Sequence, residues 1–140
     1  MTTQTDPIRP AEGYAGDVTP ATAHDWCQRG DAVLVDVRTD AEREWVGFVP
    51  GAAAVAWKHW PGMAFNPDFE AQLRAAVPAG KKALMMCRSG VRSVAAARRA
   101  TELGLEAYNI LEGFEGDADA EGHRNTVGGW RRRGLPWRQK

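Results

Sequence analysis

Cys87 begins the heptad Cys87-Arg88-Ser89-Gly90-Val91-Arg92-Ser93, where residue types and spacing could support covalent chemistry. A cysteine that ends an apolar strand and opens a helix through a tight polar loop lies among unpartnered backbone N–H groups. Those donors and the helix dipole favour an anion, as do Arg88 and Arg92. The setting predicts a reactive thiolate, the form of cysteine that acts as a nucleophile. A buried, inert packing cysteine is the competing reading. Such a residue would need neither the two serines, nor the glycine, nor the flanking arginines.

The elements that must position this loop are legible on either side of it. Ala83-Leu84-Met85-Met86 is uncharged and short, as a strand buried inside a parallel sheet is. Val94 to Ala100 is an alanine-rich helix former that stops at Gly104. Upstream, Thr19 and Pro20 read as an N-cap and first helical residue of a helix running to Gly30. Ala32 to Val37 is a second interior strand. Thr39 and Glu42 have capping-box spacing and start a short helix ending near Gly47. Ala52 to Trp57 is a weaker strand candidate. Asn66-Pro67 opens a helix whose Phe69, Leu73, Ala76 and Val77 share one face. Glu106 to Leu111 supplies one more strand, and Gly129-Trp130-Arg131 is expected to begin a last short helix closed at Gly134. Strands alternating with helices predict an α/β domain, a parallel sheet covered on both faces.

The chain has 140 residues, enough for one domain with its own core. Residues 1–13 read as a flexible leader, 14–137 as the domain and 138–140 as a tail. Lysine plus arginine equals aspartate plus glutamate at 18 each, which argues against nucleic-acid or membrane partners. The basic stretch from His123 onward has no companion patch and reads as a solvated surface. No apolar run is long enough to span a membrane, and residues 1–13 lack a signal-peptide core. Cys27 and Cys87 form neither a CxxC motif nor a disulfide framework, so a cytoplasmic protein with one reactive thiol is expected.

Four segments, in order, resemble the single-domain rhodaneses, sulfurtransferases that carry sulfur as a cysteine persulfide. Val33 to Arg38 is similar to the family's second strand with its Asp-x-Arg ending, and Gly47 to Ala52 to its Gly-His-Ile-Pro-Gly-Ala turn. Cys87 to Ser93 matches the catalytic loop, and Gly129 to Pro136 resembles the closing Trp-x-x-x-Gly-Leu-Pro element. The likeness runs from Ala15 to Trp137. It departs at Phe48, which replaces a histidine, and at Glu44-Trp45, which lies one residue closer to Gly47 than usual. It departs again at the long segment Glu115 to Gly128, expected to pack beside the mouth of the site.

The resemblance implies a five-stranded, mostly parallel sheet and a double-displacement reaction. Cys87 would take the sulfane sulfur of a donor such as thiosulfate and pass it to cyanide or a thiol. The substrate-binding residues it implies are Arg88, Ser89, Gly90, Val91, Arg92 and Ser93. A solvated helix-start charge is the competing reading for each arginine. Asp36 and Arg38 would support the loop from the same sheet edge. No metal and no cofactor are implied. The partners are a small-molecule sulfur donor and acceptor, with a protein persulfide as a further candidate.

His24, His59 and His123 read as bystanders, since transfer from a preformed thiolate needs no general base. Cys27 reads as packing rather than as a resolving thiol, and Trp57 and Trp60 as either pocket or core. Two other functions stay open. One is a non-catalytic interaction module. The other is a cysteine phosphatase or arsenate reductase, disfavoured because Cys87 and Arg92 form Cys-x4-Arg where those enzymes use Cys-x5-Arg.

Overall fold

A computed structural model describes residues 8–139. Five strands form a parallel sheet: β1 (Gly16–Val18), β2 (Ala32–Asp36), β3 (Ala53–Ala54), β6 (Lys82–Met86) and β7 (Ala107–Ile110), ordered β1-β7-β6-β2-β3. Between them run α1 (Pro20–Gln28), α2 (Asp40–Trp45), α3 (Phe69–Ala76) and α4 (Val91–Glu102). A small antiparallel hairpin, β4 (Lys58–His59) with β5 (Ala64–Phe65), stands apart from the sheet. The central strand β6 pairs with β2 along its length and with β7 at Ala83, Leu84 and Met85.

The strand alternation divides the core. Val35 and Met85 face α3 and α4 with Phe69, Leu73, Ala96, Ala97 and Ala100. Leu34, Leu84 and Met86 face the other way, toward Trp26 of α1 and toward Phe114 and Trp130. Successive side chains of a strand point to opposite faces, which is why an apolar run without alternation must be covered on both. The alanines of α4 let its backbone approach β6 and β7 closely. Phe69 and Leu73 are fully buried, each contributing about 1.5–3 kcal/mol of hydrophobic stabilisation.

The helix starts follow their local chemistry. Thr19 accepts the N–H of Thr22 at 3.2 Å with Pro20 at the first helical position. At α2 the capping box closes in both directions: Thr39 Oγ1 accepts the Glu42 N–H, and Glu42 Oε1 accepts the Thr39 N–H, each at 3.2 Å.

Three places bear on the sequence expectation. Of the expected leader, residues 1–7 lie outside the described residues, while Arg9 pairs antiparallel with Asp17 beside β1. The expected last helix is a turn. The Trp130 and Arg131 N–H groups go to the Gly113 and Phe114 carbonyls, which fastens residues 129–134 to the segment after β7 instead of letting a helix propagate. Of the expected tail, Arg138 bridges antiparallel to Phe48, and Lys140 lies outside the described residues. No helix among the described residues is long and apolar enough to cross a membrane.

Candidate active site

Cys87 is the first residue past β6, at the carboxyl edge of the sheet, and the loop from it to Gly90 turns directly into α4. Gly90, the N-cap of α4, has φ 133° and makes no side-chain cap. A residue with a Cβ rarely adopts that conformation, so glycine is what permits the sharp turn. The Gly90 N–H donates to Cys87 Sγ at 3.1 Å. The N–H groups of the first turn of α4 have no carbonyl below them to bind, so this end of the helix is electropositive.

The sulfur has a second polar contact. Ser93 Oγ lies 3.2 Å from Cys87 Sγ and donates to Asn109 Oδ1 at 2.6 Å. Asn109 Nδ2 donates in turn to Asp17 Oδ1 at 3.0 Å, and Tyr14 OH donates to the same oxygen at 2.8 Å. This chain of hydrogen bonds joins Cys87, just past β6, to β7 and β1. Sequence reasoning missed Asn109 and Asp17. The available signal was the amide itself, since an asparagine inside the buried strand Ala107–Ile110 must find partners.

The segment after β7 holds the loop from its carbonyl side. Phe114 N–H donates to the Cys87 carbonyl at 2.8 Å, and Glu115 N–H to the Arg88 carbonyl at 3.0 Å. The approach is tight enough that a Cβ on Gly113 would stand 2.6 Å from the Cys87 and Arg88 carbonyl oxygens.

Asp36 and Arg38 form a buried ion pair at 2.8 Å, and Arg38 Nη2 also donates to the Gly47 carbonyl at 2.8 Å. The Arg38 guanidinium packs 4.2 Å from the centroid of the Phe114 ring. The pair therefore ties β2, the turn at Gly47 and the segment gripping the loop, without touching the sulfur.

Above the loop lies a cleft of about 490 Å³. Ala41, Val46, Trp60 and Met63 give it an apolar wall, and Arg88, Arg92, Glu42 and Glu115 its charges. Cys87 is 1% exposed and does not line this cleft, whereas its loop neighbours Arg88 and Arg92 do. Val91, the first residue of α4, is 82% exposed.

The two loop arginines differ. Arg92 donates from both terminal nitrogens to the Glu42 carboxylate, at 2.5 and 2.8 Å. That hydrogen bond, ahead of the opposing cost of burial, raises the arginine further above its ordinary range. Arg88 is exposed, and no carboxylate pairs with it among the described residues. Glu42 was legible in the sequence only as half of a capping box. Of the segment Glu115 to Gly128, Glu115 lines this cleft.

The other candidates lie elsewhere. His24 packs edge-on to Trp130 on the opposite face, His59 is on the hairpin and His123 in the long segment. Cys27 is a partly buried thiol in α1, and Trp57 packs between Phe65 and Phe69.

A family model described as Rhodanese-like domain matches residues 19–120. The uncharacterized protein RC0915 of Rickettsia conorii is 37% identical over 112 residues, 76% of this chain and 83% of that protein. A tRNA uridine(34) hydroxylase of Delftia acidovorans is 33% identical over 76% of this chain, which spans 41% of the hydroxylase. The crystal structure of Rv0390 from M. tuberculosis superposes with a TM-score of 0.82 and 45% identity, over 91% of this chain and 99% of that one.

Proposed function

The chain belongs to the rhodanese-like domain family, and on that footing we propose that it is a sulfurtransferase whose Cys87 carries the travelling sulfur as a persulfide. The observation that carries this reading is the sulfur's position. It lies at the head of α4, accepting the Gly90 N–H at 3.1 Å, in the loop whose Arg88 and Arg92 line the cleft.

In the first half-reaction the Cys87 thiolate attacks the outer sulfur of a donor such as thiosulfate. The donor's S–S bond breaks, sulfite leaves with the electron pair, and a Cys87 persulfide remains. In the second half, cyanide or a thiol attacks the terminal sulfur and Cys87 departs as thiolate. One difficult transfer becomes two easier ones. The Gly90 N–H and the first-turn donors of α4 hold negative charge on sulfur in both states, with no reorganisation needed at the moment of transfer. Ser93 steadies the inner sulfur from the side. The chain's own groups suffice for these steps, and no cofactor is invoked. A protein-borne persulfide is a further possible donor or acceptor. We place the reaction in the cytoplasm, where thiols are kept reduced.

The test is intact-mass measurement after incubation with thiosulfate, then after cyanide. The protein should gain the mass of one sulfur atom and release it as thiocyanate. Cys87→Ser should abolish both events and Cys27→Ser should preserve them. Loss of loading in the Cys27 variant, or full loading in the Cys87 variant, would overturn the assignment.

A further inference from the structure

Asp17 sits on the edge strand β1, with β7 between it and the strand that carries the nucleophile, yet its carboxylate sets how the groups between them are turned. Asp17 and Asn109 are register partners on the parallel strands β1 and β7. An ionised carboxylate only accepts hydrogen bonds. The atom of Asn109 that meets Asp17 Oδ1 at 3.0 Å is therefore the amide nitrogen, and the amide oxygen is turned toward Ser93. Tyr14 donates to the same Asp17 oxygen at 2.8 Å and steadies it.

The next link has a single proton to give. Ser93 is fully buried and Asn109 is 4% exposed, so their polar atoms depend on partners within the fold. The Ser93 hydroxyl carries one hydrogen. It goes to Asn109 Oδ1 at 2.6 Å, although Cys87 Sγ lies 3.2 Å away. The carboxylate thus turns the amide, the amide oxygen draws the hydroxyl, and the sulfur is left facing an oxygen lone pair. Such a contact suits a thiol and opposes a thiolate. To ionise, Cys87 must win the hydroxyl proton from Asn109, whose oxygen then stays buried without that donor.

We infer that Asp17 is a positioning residue that, through Asn109 and Ser93, restrains the reactivity of Cys87 by holding the serine hydroxyl away from the sulfur. The inference goes beyond the sulfurtransferase reading, because it concerns the thiol itself whatever group that thiol transfers. Asp17→Asn reverses the polarity of the chain. An amide nitrogen at that place donates one hydrogen to Asn109 Oδ1 and the other to the Tyr14 hydroxyl oxygen. The Asn109 amide then turns over to donate to Ser93 Oγ, and the serine proton is free for the sulfur.

The experiment measures the rate of iodoacetamide alkylation of Cys87 against pH, on a Cys27→Ser background, in the parent, Asp17→Asn, Ser93→Ala and the double variant. At about two pH units below the ordinary thiol value of about 8.5, Asp17→Asn should react about tenfold faster than the parent, the scale of one hydrogen bond to a charged group. The two profiles should converge at high pH, where the thiol is ionised in both. On the Ser93→Ala background the same substitution should change nothing, because the hydroxyl through which it acts is gone. Simple loss of a negative charge would act with or without that hydroxyl. The other charges around the loop, Arg88, Glu115, Arg92 with Glu42, the Asp36–Arg38 pair and Arg98 beside Tyr14, are common to all four proteins. Asn109→Leu removes the acceptor outright and should also speed alkylation at low pH, which keeps the test open if Asp17→Asn does not fold. An unchanged or slower rate in either folded variant, or the same acceleration with and without the Ser93 hydroxyl, overturns the inference. Absence of sulfur loading in the wild type would instead sink the sulfurtransferase reading and leave the alkylation rates to decide this one.

Discussion

Cys87 Sγ and Ser93 Oγ lie 3.2 Å apart, and Ser93's other partner fixes which way the hydroxyl points. Asn109 Nδ2 is committed to the Asp17 carboxylate, so its Oδ1 faces Ser93 and takes the hydroxyl proton at 2.6 Å. Ser93 then offers the sulfur a lone pair, which suits a neutral S–H donor. When the sulfur is charged, as thiolate or persulfide, the hydroxyl must rotate to donate to it. Ser93 is thus expected to donate to Asn109 when the sulfur is neutral and to the sulfur when it is charged.

Ser93→Ala should therefore slow sulfur loading of Cys87 by about tenfold to a hundredfold, the range for one hydrogen bond to a charged group. It also leaves the Asn109 oxygen buried without a donor. Ser93→Thr keeps the hydroxyl and should restore most of the rate. Single-turnover loading followed by mass spectrometry measures this directly. Equal rates in the alanine and threonine variants would show that the hydroxyl contributes packing alone.

A second expectation concerns Gly113, which lets the chain after β7 press against the Cys87 loop. Its φ is 63°, and an added Cβ would meet the Cys87 and Arg88 carbonyl oxygens at 2.6 Å. Backbone on both sides leaves no flexible side chain to yield. Gly113→Ala should displace the carbonyls that Phe114 and Glu115 bind, lowering both stability and loading rate. Strain in this region costs on the order of 1–3 kcal/mol before any displacement is counted. Gly104→Ala is the control: its φ is also positive, but nothing lies within 4 Å of its Cβ position. It should lower the melting temperature modestly and leave loading rate intact. Equal loading in the two variants would show that the grip of residues 113–115 is irrelevant to catalysis.

What the sequence disclosed and what it withheld divide along one physical line. The apolar run ending at Met86, the Thr39–Glu42 spacing and the Cys87 heptad are local patterns, and each produces its element where expected. The three residues of β1 are too few for a period, and β4 and β5 have two each, so none of them could be read. The site's indirect members arise from folding contacts. Arg92 and Glu42 meet only because α2 and α4 both start at the carboxyl edge of neighbouring strands. Asn109 meets Ser93 for the related reason that β7 lies beside β6. The arginine's type and position were legible, but its carboxylate partner was not.

The last expectation contrasts the second thiol. Burial in α1 pushes Cys27 up to about 11, against a smaller opposing effect of a backbone hydrogen bond involving Leu34. A raised value means that folding favours the protonated thiol. Its stabilising contribution is therefore complete below the ordinary thiol range of about 8.5 and is lost as pH rises from there toward 11. In Cys87→Ser protein, iodoacetamide alkylation of Cys27 should climb about tenfold per pH unit above pH 8, because the thiolate fraction does so. It should level off only near pH 11, whereas the urea-unfolded protein should level off near the ordinary value. Cys27→Ser should also flatten the fall in stability over the same interval. A folded-state midpoint close to the unfolded one would mean that α1 opens to solvent around Cys27. The thiol would then be a competitor for sulfane sulfur rather than a packing residue.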